Sequence, residues 1–295
     1  MGGGEAGGED AAAFSRLGAR YRAELQVHCY RMLGSFEESG TLVTEALLRA
    51  WRERETFAGH ATFRTWLYRV ATRACLDHLA ARPRTRTPAA VQPCPDTLLD
   101  QVLAQEPASG EVVAGPTIGL AFVAALQSLP PRQRAVLVLR DVLGWSARET
   151  AATLGVSVAA VNSALQRARP RVRSRVPARS AGPDEGTVLR RYAAALESRD
   201  DNALAAVLAE GAGSARLTLP PDLRTVPTWM NRQPAAALYA RGTGEPRRQG
   251  EPRGQGEPAH RAHALEVLRV EDGRIVEVTV FGPGLFVVLG LPAAL

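Results

Sequence analysis

Lysine is absent from the 295 residues, so every fixed positive charge in the chain is an arginine. Aromatic residues are scarce at 5%, and any core must lean on Leu, Val and Ala. The three cysteines, Cys29, Cys75 and Cys94, have no metal-ligand spacing. They read as buried thiols of a reducing compartment rather than as a disulfide framework. His28, His60, His78, His260 and His263 form no ligand pattern with one another or with cysteine. The opening MGGGEAGGED lacks the basic and apolar regions of a signal peptide, and no run approaches the ~18 apolar residues that span a bilayer. A cytoplasmic protein is therefore expected. No phosphate loop, nucleophile elbow or dinucleotide fingerprint is present. Asp200-Asp201 reads as a turn or cap rather than an acid–base pair. The expectation is a chain with no catalytic residue, no metal and no cofactor.

What the chain does have is arginine in excess, 36 basic against 30 acidic residues, for a net charge of +6. An anionic partner is one reading and a codon bias toward Arg, Ala, Gly and Pro is the other, so the location of the charge decides. Residues 1–12 are Gly-, Ala- and acid-rich and read as a disordered tail. A helical domain is expected over 13–82. Tyr21, Leu25, Cys29 and Met32–Leu33 recur at helical spacing, and Phe63, Trp66, Leu67, Val70, Ala71, Ala74 and Cys75 make a wide apolar stripe. Gly59-His60-Ala61 separates the two patterns, and Arg82-Pro83 ends the second. Residues 83–117 are proline-rich and aperiodic, a linker with one short helix near Leu98–Leu103. Four helical stretches follow in 118–176: Ile118–Leu126, Arg132–Leu143, Ser146–Leu154 and Val158–Arg173.

The second linker is 177–184, and 185–295 changes character. Glu185–Ala209 is amphipathic, while Ala264–Val270 and Arg274–Phe281 alternate as two β-branched strands around the hairpin signal Glu271-Asp272-Gly273. An internal repeat, GEPRRQ-GEPRGQ-GEP at Gly244–Pro258, buries nothing and reads as a flexible insertion over 242–259. The fold class that emerges is multidomain, two all-α domains followed by an α+β domain.

The sharpest local signal is a helix-turn-helix over Trp145–Arg169. Ser146 with Glu149 makes a capping box, Gly155 supplies the tight turn, and Ser157 caps the second helix. Val161, Leu165 and Ala168 fall at i, i+4 and i+7 and must face inward. The opposite side then presents Ala159, Ala160, Asn162, Ser163, Gln166, Arg167 and Arg169. Small leading residues allow close approach to a major groove, and Asn, Gln and Arg can pair with base edges. Arg171 and Arg173 suit phosphates. Pro170 is expected to bend or end the helix near Arg169.

The words LPPRQRAVLVLRDVLGWSARETAATLGVSVAAVNSALQRAR resemble the sigma-4 domain of extracytoplasmic-function sigma factors. Upstream, FRTWLYRVATRACLDHL and LLRAWR resemble the sigma-2 domain. The resemblance covers about residues 14–175 and implies a factor that binds core RNA polymerase and promoter DNA. It implies that sigma-4 reads the minus-35 element, while sigma-2 docks on the polymerase clamp helices and opens the minus-10 element. Carried onto this chain, the minus-10 candidates are Arg64, Thr65, Arg69, Thr72 and Arg73, with Trp66 read as core. The polymerase-docking candidates are Leu42, Val43, Glu45, Arg49 and Trp51. The family's acidic-Leu-Val-Gln-Glu docking stretch is here SGTLVTE, Ser39–Glu45, so Thr41 and Thr44 replace an acid and a glutamine.

The last third, from VLRRYAAALESRDDNALAAVLAE through PTWM and QPAAALY to LFVVLGLPAAL, resembles the SnoaL-like (nuclear-transport-factor-like) α+β cone found behind some of these factors. There the domain is regulatory. The segment usually lying between PTW and QPA is missing, which implies a truncated cone. An anti-sigma partner, or regulation by the cone itself, is implied as well. Two other readings stay open: a DNA-binding regulator whose polymerase binding is weakened by Thr41 and Thr44, and a small-molecule-binding or isomerase-like protein acting through the cone.

Overall fold

A computed structural model describes residues 3–57, 62–82, 91–105, 118–176, 184–212, 220, 222–241 and 260–295. The Gly59-His60-Ala61 break, most of both expected linkers and the repeat insertion lie outside the described residues. The chain divides into two units, Met1–Pro177 and Ala178–Leu295.

Caps and glycines set the helices of the first unit. The helix α1 (Gly3–Leu33) starts ten residues before the expected domain boundary, so the tail read as disordered is helical. Gly34, at φ +73°, turns the chain into α2 (Phe36–Arg52), where Ser35 accepts a hydrogen bond from the Glu38 amide. Thr62 caps α3 (Phe63–Ala81), which stops at extended Arg82 ahead of Pro83. Then come α4 (Asp96–Gln105) and α5 (Leu120–Gln127), and α6 (Pro131–Leu137) with proline at its first position. A π-helical turn over Val138–Val142 leads to α7 (Ala147–Leu154) and α8 (Val158–Arg173). Pro170 sits inside α8, which runs to Arg173 as that stretch was read and does not end near Arg169, because a proline there forfeits a single backbone bond while Val172 still reaches the core.

One apolar cluster joins all of these except α4. It takes Cys29 and Met32 from α1, Val43 and Ala46 from α2, and Leu67, Ala71 and Cys75 from α3. The later helices add Leu126, Val138, Val161 and Leu165. All three cysteines are buried. Burial, with the Cys29 thiol alongside, raises the Cys75 thiol pKa well above its ordinary value. A second cluster forms where α4 sets Leu98, Leu99 and Val102 against Ala23, Val27 and Tyr30 of α1 and Val123 of α5. The stretch read as linker therefore contributes a helix longer than expected, and that helix is docked.

In the second unit the long helix expected over Glu185–Ala209 is two helices. Arg199 takes a left-handed φ of 56°, ending α9 (Glu185–Ser198), and Asp200 caps α10 (Asp201–Val207) by accepting from the Ala203 amide at 2.9 Å. The sheet has four antiparallel strands in the order β1 (Leu223–Met230), β2 (Gln233–Arg241), β3 (His260–Glu271) and β4 (Arg274–Phe281). Only the last two were legible as strands from alternation. In β2 six consecutive residues, Pro234–Tyr239, are buried, so the period of two is lost. Between Trp229 and Gln233 the chain makes a two-residue turn: Met230 pairs with Gln233, and Asn231 and Arg232 both take left-handed φ near +56°. Asp272-Gly273 closes β3–β4 in the same way. The last residues return to the start of β3, Leu295 donating to the His260 carbonyl at 2.9 Å, and Phe286 packs edge-on against Tyr239.

Buried Glu266 of β3 accepts a 2.8 Å hydrogen bond from the Tyr192 hydroxyl of α9, a buried polar link between helix layer and sheet beside the exposed one from the Thr225 amide to Glu197. Tyr192→Phe is expected to cost the full-length protein about 1–3 kcal/mol, because it strips one donor from a buried carboxyl group. Urea unfolding followed at the C-terminal unit checks this; a loss below ~0.5 kcal/mol would show the link to be redundant.

Candidate nucleic-acid interface

The first unit offers two basic faces, and the sharper is built on α7 and α8. The Ser146 hydroxyl accepts from the Glu149 amide at 3.2 Å, and the Glu149 carboxylate accepts from the Ser146 amide at 2.8 Å. This reciprocal box holds the Glu149 carboxyl below its usual pKa. Gly155 ends α7 at φ +64°, a conformation that costs glycine little. Ser157 then accepts from the Ala160 amide at 3.1 Å and starts α8. Val161, Leu165, Ala168 and Val172 are buried, which fixes the rotation of α8 about its axis.

With that rotation set, Ala159, Ala160, Asn162, Ser163, Gln166, Arg167, Arg169, Arg171 and Arg173 are all exposed together. Val158, 40% exposed at the leading turn, joins them, although it was not among the expected contacts. Arg169 differs from its neighbours. Its guanidinium forks onto Asp141 at 2.8 and 2.9 Å, tying α8 to the π-helical turn. The pair raises the Arg169 pKa.

On α3 the expected residues separate into different environments. Arg73 is exposed, and Thr65 shares a hydroxyl contact with Thr62 at 2.9 Å. Arg64 forks onto the buried Glu24 of α1 at 2.8–3.2 Å and lies over the Tyr68 ring. Arg69 is half-buried, and its charge acts on Glu149. Thr72 does not face outward at all: it is fully buried, donating to the Tyr68 carbonyl at 2.7 Å and meeting His28 Nε2 at 2.9 Å. One helix face is too narrow to expose Thr65, Arg69 and Thr72 while Tyr68, Ala71 and Cys75 enter the core. Trp66 is buried as core. At the start of α3, Phe57 is 37% exposed beside Phe63 and Trp66, and Arg54 stacks on Trp51 at 4.3 Å.

On α2 two expected docking residues are corrected. Leu42 and Val43 are buried in the core and serve to hold α2 in place. The outer face carries Thr41, Thr44, Glu45 and Leu48 instead. Arg49 bridges Glu53 and Asp77 at 2.8 and 2.9 Å. Trp51 lines a groove of about 320 Å³ with Phe14, Leu47 and Leu48, at whose edge Arg22 donates to Thr44 at 2.8 Å. Among the described residues no His, Cys, Asp and Glu cluster is arranged to hold a metal ion, and no helix is long and apolar enough to cross a membrane.

His28 lies in the support of α3. Burial, aided by Arg31, lowers its pKa to about 3. The unfolded chain therefore binds a proton below pH ~6.5 that the folded chain refuses, and stability falls as pH drops from there toward 3. The loss reaches at most about 5 kcal/mol at the acid end. Guanidinium unfolding midpoints at pH 7, 5.5 and 4.5 should fall steadily in the wild type and more shallowly in His28→Gln. Equal slopes would take His28 out of the acid response.

Residues 17–85 match Sigma-70 region 2, and residues 119–172 match Sigma-70, region 4. The chain is 36% identical, over an alignment of 333 positions, to the ECF RNA polymerase sigma factor SigG of Mycobacterium tuberculosis strain H37Rv. That alignment covers 96% of this chain and 85% of that protein. It is 27% identical over 169 positions to the ECF RNA polymerase sigma factor SigW of Bacillus subtilis, covering 57% of this chain and 90% of that one. Among solved structures, the Mycobacterium tuberculosis extracytoplasmic function sigma factor SigJ superposes with a TM-score of 0.58 at 23% identity, over 95% of this chain and 99% of that one. That likeness is one of fold.

Proposed function

The chain belongs to the extracytoplasmic-function sigma factors of the sigma-70 family, and from that premise we propose that it binds core RNA polymerase and directs it to promoters. It does so in the cytoplasm, as a binding protein with no reaction of its own. The observation that carries the reading is α8: one uninterrupted exposed face of small residues, amides and arginines on a helix whose rotation is fixed by four buried anchors. That face enters the major groove of the minus-35 element. Asn162, Gln166 and Arg167 read base edges there, and Ala159, Ala160 and Val158 allow close approach and touch thymine methyls. Arg171 and Arg173 hold phosphates. Arg169, already forked onto Asp141, positions α8 rather than reading a base.

The start of α3 faces the minus-10 element, with Thr65, Arg73 and the aromatic patch at Phe57 as its contacts; Arg64 and Arg69 shape the face. Polymerase docks on the outer face of α2 through Thr41, Thr44, Glu45 and Leu48, beside the Trp51 groove. The C-terminal unit, a SnoaL-like α+β domain with its cone shortened at Asn231-Arg232, regulates these events.

Run-off transcription with core polymerase on a cognate promoter tests the whole reading; promoter binding without a transcript would favour a DNA-binding regulator instead. Within it, Arg167→Ala should weaken promoter binding by about 1–3 kcal/mol and relax one minus-35 position. Arg173→Ala should weaken all sequences about equally and flatten the salt dependence. Equal losses on cognate and scrambled minus-35 DNA for both variants would remove Arg167 from base reading.

A further inference from the structure

Asn162, Gln166, Arg169 and Arg173 follow one another along α8 at helical spacing, so they form one stripe down a flank of the helix. All four are exposed. Arg169 therefore stands where base reading by Gln166 gives way to phosphate binding by Arg173. Among the described residues it is the member of the stripe held by a carboxylate. Its Nε and Nη2 donate to the two oxygens of Asp141 at 2.9 and 2.8 Å.

Asp141 comes from outside the two helices of the motif, from the π-helical turn over Val138–Val142. There the Leu143 amide reaches back to the Val138 carbonyl at 3.0 Å, and the Trp145 amide to the Leu139 carbonyl at 2.9 Å. Such a turn takes one residue more than an α turn and shifts the faces of the residues it carries; turns of this kind recur at functional sites. Val138, Leu139 and Val142 are buried and hold the turn in the core. Arg140 is directed elsewhere, donating to the Trp145 carbonyl, so the exposed Asp141 is left to Arg169.

As a contribution to folding the pair is minor. The side chains of Arg169 and Asp141 are 46% and 30% exposed, and ion pairs this open to water add little to stability. Val161, Leu165, Ala168 and Val172 already fix the rotation of α8 from the core. Beside DNA the same pair has a larger effect. A free guanidinium is drawn to phosphate by counterion release, whatever the base sequence. A guanidinium forked onto a carboxylate has spent two of its donors, and the carboxylate itself repels the backbone.

Resting on α8 as the minus-35 reader, we propose that Asp141 is a specificity-determining residue. By holding Arg169 it keeps one positive charge on the flank of α8 from becoming a sequence-blind phosphate contact. The partner it disfavours is duplex DNA that lacks the promoter sequence. Such sites greatly outnumber promoters, so weaker binding to them leaves more of the protein for the promoter. Asn162, Gln166 and Arg167 then carry a larger share of the affinity through base edges.

The test compares wild type, Asp141→Ala, Asp141→Glu, Arg169→Gln and the double variant Asp141→Ala/Arg169→Gln as full-length chains, each checked for wild-type helix content. Anisotropy titrations of a labelled duplex of scrambled sequence, at a series of salt concentrations, give affinity and salt slope. Asp141→Ala should bind this duplex about three- to tenfold more tightly at low salt, with the slope steeper by about 0.9, the increment of one phosphate contact. Asp141→Glu, which keeps a carboxylate, should retain the wild-type slope. In the Arg169→Gln background, Asp141→Ala should leave the slope unchanged, because no cation is released. With core polymerase, Asp141→Ala should lower the ratio of transcripts from a cognate promoter to those from one with a scrambled minus-35 element by about three- to tenfold.

Folded Asp141→Ala that binds the scrambled duplex no more tightly than wild type overturns the proposal. So does the same steepening of slope without Arg169, or an equal loss on cognate and scrambled DNA, which would make the fork a brace alone. A wild type that yields no transcript would instead sink the sigma-factor reading, while the scrambled-duplex titrations still decide whether Asp141 restrains Arg169.

Discussion

Much of the first unit depends on a guanidinium that bonds to carbonyl oxygens. Arg134 is nearly buried, and burial together with the nearby Arg82 lowers its pKa to about 10, so it stays charged at neutral pH. A buried charge is tolerable only where its protons are well bonded. Here the acceptors are the ends of two helices, α1 and α5, both of which carry a partial negative charge. One side chain thus resolves two helix termini and places α6 against both. Since α6 carries Ala135 through Leu137 into the core, and the helix-turn-helix is built on α6, the orientation of the reading helix is inherited from this junction.

Local rules made the helix-turn-helix legible. The capping box, the left-handed glycine and the i, i+4, i+7 anchors are decided by residues within a turn or two of one another, and each was readable before any tertiary contact was known. The same logic failed at Leu42 and Val43. A resemblance to a docking motif marks which segment meets a partner, but the 3.6-residue period decides which side chains do, and these two fall on the inner face of α2. Thr72 failed for a different reason. A threonine on a helix can turn its hydroxyl back to the i−4 carbonyl, and with His28 facing it the polar group is satisfied inside the core. Tertiary fastening was invisible too: Gln92 and α4 sit in a stretch whose prolines and lack of period describe a free linker, and only the surface of α1 gives them a place.

In the second unit, alternation revealed β3 and β4 and hid β1 and β2. β2, covered on both faces, loses its period and its Ala-rich run carries little β-propensity of its own, while β1 is buried only at its two ends and has no apolar face to alternate. What holds it is pairing on both edges, with β1 along its whole length and with β3 across a bulge at Leu238/Tyr239. The hydroxyl of Tyr192 then fixes the helix layer against the one carboxylate on the inner face of β3.

The Asn231-Arg232 turn bears on how such a domain changes its length over time. Because Met230 and Gln233 close the ladder directly, everything beyond the turn projects away from the sheet without disturbing the pairing behind it. Residues can be lost or gained at that tip while every strand keeps its neighbour, and each doubling of loop length costs only ~0.6 kcal/mol in closure entropy. The hairpin tip is therefore a place where loop length can change without refolding the strands that carry it.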